Sequence, residues 1–175
     1  MSQGQTPVKP RVWGMLFVVG LFILLMIYGT ILIASRDPFW FLSGFNELPD
    51  RLVVYHSGQQ TEYVPGQPGF DLLAESLQDS LDQGIARQSG IGFSEATYQD
   101  AYQKYLTVEA FFDQPVKLHA WFNTGQTSKM LIPITGRHSE LSVVLLGDKG
   151  AYRVHGPAMK NLQPLRDALA ALGYQ

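Results

Sequence analysis

Hydrophobic and polar positions change rhythm three times along this chain. From Val12 to Ser35 no charged residue interrupts an apolar run. A helix over those 24 residues rises roughly 36 Å, enough to cross a hydrocarbon core of roughly 30 Å with some tilt. The flanks suit such a span. Trp13 stands at one end, and Phe39, Trp40 and Phe41 stand behind Pro38 at the other, as interfacial aromatics do. Pro38 disfavours helical geometry at Asp37 and ends the helix about there. A cleaved secretory signal has a shorter apolar region and small residues at positions −3 and −1. Cleavage after Ala34 puts Leu32 at −3, so an uncleaved anchor is expected.

The second rhythm is helical. In PGFDLLAESLQDSLDQGIAR, Phe70, Leu73, Leu77 and Leu81 recur every three or four residues, with Ile85 extending the stripe and Glu75, Gln78, Asp79 and Asp82 facing away. Ser94 is placed to cap a second helix whose Tyr98, Ala101, Tyr102 and Tyr105 share a face. Leu162, Leu165, Leu169 and Leu172 predict a closing helix that Gly173 ends, with Pro164 near its start.

The third rhythm is that of strands, with a period of two from Leu106 onward. RLVVYH and TEYV, joined through Ser57-Gly58, predict a hairpin. From Leu106, LTVEAFF alternates Leu106, Val108, Ala110 and Phe112 with Thr107, Glu109 and Phe111. PVKLHAWF alternates Val116, Leu118, Ala120 and Phe122 with Lys117, His119 and Trp121, so Asp113-Gln114 reads as the tight connection of an antiparallel pair. KMLIPI, LSVVLL and AYRVH predict three further strands, with Pro133 at an edge or bulge because it cannot donate to a ladder. Helices before and after a run of strands indicate an α+β fold, an antiparallel sheet of N-terminal hairpin plus C-terminal meander packed by about three helices on one face. Four regions result: residues 1–11 a cytoplasmic stub, 12–37 a transmembrane signal-anchor helix, 38–50 an interfacial linker, and 51–175 an extracytoplasmic domain.

Charge then bears on orientation and partners. Lys9 and Arg11 precede the span, whereas Arg36 follows it beside Asp37 and the next cation is Arg51. Cationic segments stay in the cytoplasm, so the C-terminal domain is expected outside. Beyond the span 11 Lys and Arg face 15 Asp and Glu, a net charge of −4. That balance argues against nucleic acid, which is bound through clustered cations.

Candidate chemistry adds little. The sequence lacks G-x-S-x-G, H-E-x-x-H, Walker and G-x-G-x-x-G patterns, and its glycines at 66 and 69 in PGQPGF read as a turn before a helix. With zero cysteines there is no thiol nucleophile, disulfide or thiolate metal site. His56, His119, His138 and His155 are scattered, which favours separate surface or strand-end positions over one metal site. The tyrosines at 98, 102 and 105 read as a buried stripe rather than a ligand cleft. Phe111 and Trp121, on the nominally polar faces of adjacent strands, form an apolar patch if that side of the sheet is open, and such patches are contact sites.

The expectation is therefore a non-enzymatic membrane protein without cofactor or metal. It would be embedded in the lipid bilayer through residues 12–37 and would bind a protein partner of the membrane or envelope, or support an assembly, through Phe111 and Trp121. The alternative is a membrane-tethered hydrolase or metal-dependent enzyme using His119, His155 and His138 with Glu140.

Overall fold

The computed structural model describes residues 12–42, 44–148 and 150–174. The stub with Lys9 and Arg11 lies outside the described residues. Helix α1, Val12–Ser35, is long and apolar enough to cross a membrane. Ser35 is its one buried residue.

The remainder is α+β. Strands β1 (Arg51–His56) and β2 (Gln59–Tyr63) form the expected hairpin, followed by α2 (Phe70–Asp82), β3 (Ile85–Gln88), α3 (Glu95–Gln103), β4 (Thr107–Lys117), β5 (Gln126–Pro133), β6 (Leu145–Gly147), β7 (Pro157–Met159) and α4 (Gln163–Ala171). The main sheet is antiparallel, in the order β2-β1-β4-β5-β6, while β3 and β7 pair apart from it.

Alternation puts one row of side chains on each face. Leu52, Ala110, Met130 and Leu146 are partners across four strands. They join Leu73, Leu77 and Leu81 of α2 and Leu165 and Leu169 of α4 in the principal core. The two helices meet where the Leu165 N–H donates to the Ser80 hydroxyl at 3.3 Å. Gly69 starts α2 at φ +89°, and a Cβ there would lie 3.1 Å from Leu172 and 3.2 Å from Tyr63, so a side chain is strained by the backbone and crowded by its neighbours. Ser94 caps α3 as expected, accepting from the Thr97 N–H at 3.3 Å.

Several expectations are corrected. The strands predicted on either side of Asp113-Gln114 are one eleven-residue strand, β4, which continues through a register shift between Phe111 and Val116. Asp50 replaces the missing ladder there: its carboxylate accepts from the Asp113 N–H at 2.7 Å and its own N–H donates to the Phe111 carbonyl at 2.9 Å. Residues 118–122 are loop rather than strand. Ile85 does not extend α2; the chain breaks at Gly84 (φ +89°) and Ile85 opens β3. AYRVH contributes only an isolated bridge from Tyr152 to Gly147, and LSVVLL shortens to β6. Pro133 sits at the end of a central strand, past the last residue that β6 pairs, where no donor is needed.

Helices also do not keep to one face. The row Val53, Glu109, Leu131 and Leu145 is buried on the other side, where Tyr98 and Tyr102 of α3 pack with Tyr152 and Phe93 against Leu131 and Leu145.

Candidate functional site

Two polar constellations stand out, one on each half of β4. The first joins α1 to the domain. Asp37, two residues past the helix, is 3 % exposed. Its carboxylate lies 2.7 Å from His119 Nδ1 and 3.8 Å from Lys117 Nζ. The same lysine donates to the Arg36 carbonyl at 2.8 Å, and the Asp37 carboxylate accepts from the Phe39 N–H at 2.9 Å. Burial alone would raise the Asp37 pKa, but the His119 and Phe39 hydrogen bonds and the His119 and Lys117 charges outweigh it and hold the carboxyl below its ordinary value.

Residues 38–42 fold back beside α1. The Tyr28 hydroxyl donates to the Pro38 carbonyl at 3.1 Å, and the Tyr28 and Phe41 rings meet edge to face at 6.5 Å. Trp40 packs on Phe41 at 5.7 Å. Linker residue Phe45 belongs to the core, edge to face with Phe112 at 6.0 Å, and its N–H donates to Asp82 at 3.2 Å. The helix is thus joined to the domain by charge, backbone and packing together. An open cleft of about 350 Å³ beside the joint is lined by Gly44 to Glu47, Gln114 to Lys117 and His119.

The second constellation lies under α3. Glu109, 6 % exposed, accepts from the Tyr55 hydroxyl at 2.9 Å and from the Tyr152 hydroxyl. Burial and then the Glu109 carboxylate push the pKa values of Tyr55, Tyr102 and Tyr152 well above the ordinary phenol range. Tyr98 stacks on Tyr152 at 5.9 Å, and Lys129 Nζ lies 4.4 Å from the Tyr152 ring centre. Every group here is turned toward another of the set, an arrangement that orders α3 on the sheet rather than presenting a reactive atom.

Phe111 and Trp121 are not brought together. Phe111 lies on β4 beneath the Arg51 guanidinium, 3.8 Å from its ring centre, in a cleft with Asp113 and Lys129. Trp121 lies in the loop after β4, in a different cleft shared with Trp40, Phe41, Leu42 and Lys160. The histidines also separate. His119 is engaged with Asp37, His138 packs on Phe93 at 5.6 Å, His155 lines a cleft with Arg153 and Phe122, and His56 packs on Tyr174 at 5.9 Å. Among the described residues no group of three His, Cys, Asp or Glu is placed to hold a metal ion. Tyr105 leaves the stripe of Tyr98 and Tyr102 and packs so closely on Gly136 that a Cβ there would come within 2.4 Å of its ring. The Asp37 joint was not anticipated. A carboxylate just beyond an apolar run, with Lys117 and His119 two residues apart in the sequence, is all the signal the sequence offers.

No protein-family model matches the chain, and neither a curated protein nor a solved structure matches it.

Proposed function

We propose that this chain is a single-pass membrane protein, anchored by α1 with its α+β domain outside, and that it serves a non-enzymatic role as a partner-binding, assembly or accessory subunit. The observation that carries this reading is the contrast between α1 and the domain. The domain completes its core with α2, α4 and the sheet, while the apolar side chains of α1 are left exposed. Lipid or other membrane helices are the environment in which such a cylinder is stable. The buried Asp37 joint supports the same role, since it holds the domain in a set relation to the anchor as a scaffold requires.

The middle of the sheet is covered on both faces, which leaves its margins to a partner. The β2 edge is open along Gln59 to Glu62, whose side chains are exposed. Sheet edges offer unpaired backbone groups to an added strand. The metal-dependent alternative draws no support from the geometry, because His119, His138 and His155 are engaged at three separate places.

The test is crosslinking in intact cells, followed by detergent extraction and size analysis. A specific crosslinked partner that co-migrates with the extracted chain is expected. A monomer that crosslinks to nothing in its native membrane overturns the partner-binding role.

A further inference from the structure

The loop after β4 carries an exposed tryptophan at the foot of the domain. Trp121 is 55 % exposed, and Phe39, Phe41 and Leu42 beside α1 are 54 %, 56 % and 48 % exposed. Trp121 shares one cleft with Trp40, Phe41, Leu42 and Lys160. Its loop is held in place: the Thr124 hydroxyl donates to the Leu118 carbonyl at 2.7 Å, and the Arg153 guanidinium donates to the carbonyls of Thr124 and Gln126.

The level of this shelf follows from the fold-back. Phe41 packs on Tyr28, seven residues before the helix end at Ser35 and therefore roughly 10 Å back along the axis at about 1.5 Å per residue. A helix of 24 residues exceeds a hydrocarbon core of roughly 30 Å by only about 6 Å shared between two ends. The Phe41 ring, 6.5 Å from that of Tyr28, therefore lies beside the last turns of the helix, near the end of the span. Trp121 lines the same cleft as Phe41, and the Asp37–His119 joint two residues earlier holds its loop beside the end of α1. Tryptophan and phenylalanine are favoured at this boundary, and Lys160 at the rim suits a lipid phosphate.

We propose that Trp121, with Phe39, Phe41 and Leu42, seats the outer domain in the interfacial zone of the bilayer that holds α1. The domain then has two attachments to one membrane, a spanning helix and a monotopic shelf contributed by a segment some 80 residues later in the chain. Trp121 is in this account a lipid contact and not a protein-partner contact. The inference rests on the anchor reading of α1. The domain's net charge of −4 offers no general attraction to anionic lipid, so the seating is chiefly apolar and depends only weakly on salt.

The chain has three tryptophans and no cysteine, which allows each arm of the test to read one position. Full-length protein is reconstituted into phosphatidylcholine vesicles with or without bromine on the acyl chains near the headgroup. The double variant Trp13→Phe/Trp40→Phe reports on Trp121, and Trp40→Phe/Trp121→Phe reports on Trp13 in the anchor. Bromolipid is expected to quench both, with Trp121 losing a share of emission comparable to Trp13 and resisting aqueous acrylamide at high and low salt. Lipid quenching of Trp13 alone, with Trp121 open to acrylamide, overturns the seating and leaves the anchor standing. Lipid quenching of neither overturns both. A nitroxide on Trp121→Cys gives a second measurement should a double variant not fold. Its control is Gln59→Cys, at the opposite end of the sheet because Tyr55 pairs with Thr107 at the start of β4. Faster collision with oxygen than with an aqueous nickel chelate at 121, and the reverse at 59, supports the seating; chelate-dominated collision at both overturns it.

Discussion

Glu109 and Phe112 lie on opposite faces of β4, and each fixes the face it serves. Removing the Glu109 carboxylate, as in Glu109→Ala, leaves the hydroxyls of Tyr55 and Tyr152 without their acceptor. A loss of about 1–3 kcal/mol in chemical denaturation is expected, as for other stranded buried donors. Phe112→Ala, which empties the core beside Phe45, is expected to cost about 3–5 kcal/mol, whereas Trp121→Ala costs no more than about 1 kcal/mol. Equal losses from the two aromatic truncations would refute the assignment of Trp121 to the surface. The tyrosines make a prediction about pH. Burial and the hydrogen bond to Tyr174 push Tyr63 up to about 12, and Tyr55, Tyr102 and Tyr152 are raised further. Phenols whose folded values exceed the unfolded value of about 10 stabilise the fold fully below pH 10 and lose that contribution as pH climbs through the folded values. Tyrosinate absorbance from these rings should appear together with the loss of near-ultraviolet dichroism; its appearance near pH 10 in a folded chain would contradict their burial. At this scale the sequence was a partial guide. It assigned Glu109 to the face opposite Phe112 correctly, but not its burial, because helices were expected on one face only and α3 with Tyr152 covers the other.

Among the elements, those with many repeats of their period were legible. The stripes of α2 and α4 and the run of strand-forming residues in β1 announced themselves, and Ser94 marked the start of α3. Short elements were not. β3 and β7 have four and three residues, too few for a period to show. β4 was expected as two strands because Asp113, Gln114 and Pro115 have turn chemistry, but β5 pairs with it again at Val116 and Asp50 binds the irregular stretch from outside. Asp50→Ala is accordingly expected to cost about 1 kcal/mol and to speed amide exchange around Asp113 selectively. The joint at Asp37 makes the parallel case. Asp37→Ala leaves Lys117 and His119 without their shared carboxylate, and limited proteolysis in detergent should then cut faster between Pro38 and Pro49. An unchanged cutting rate would mean that packing alone holds the joint.

For the whole molecule, the core lies within residues 44–175, since Phe45 is its most N-terminal member. That fragment is expected to fold and stay soluble without α1, with a cooperative thermal transition; insoluble or unfolded material at neutral pH would mean that the domain is built against a permanent partner. In cells, protease added to spheroplasts should remove the domain while sparing a tag at residue 1, and the reverse protection would overturn the proposed orientation. The long apolar helix, the α+β class and the hairpin could be anticipated from sequence, but the relation between helix and domain could not. It depends on contacts between residues some 80 positions apart, which leave no local pattern. Those contacts give β4 a mechanical meaning. One end of the strand is bonded to α3 through Thr107, and the other is bonded to the end of α1 through Lys117. A tug on the domain is carried along a hydrogen-bonded beam to the end of α1 instead of being absorbed by slack chain, so the protein behaves as a bracket and not as a float on a line.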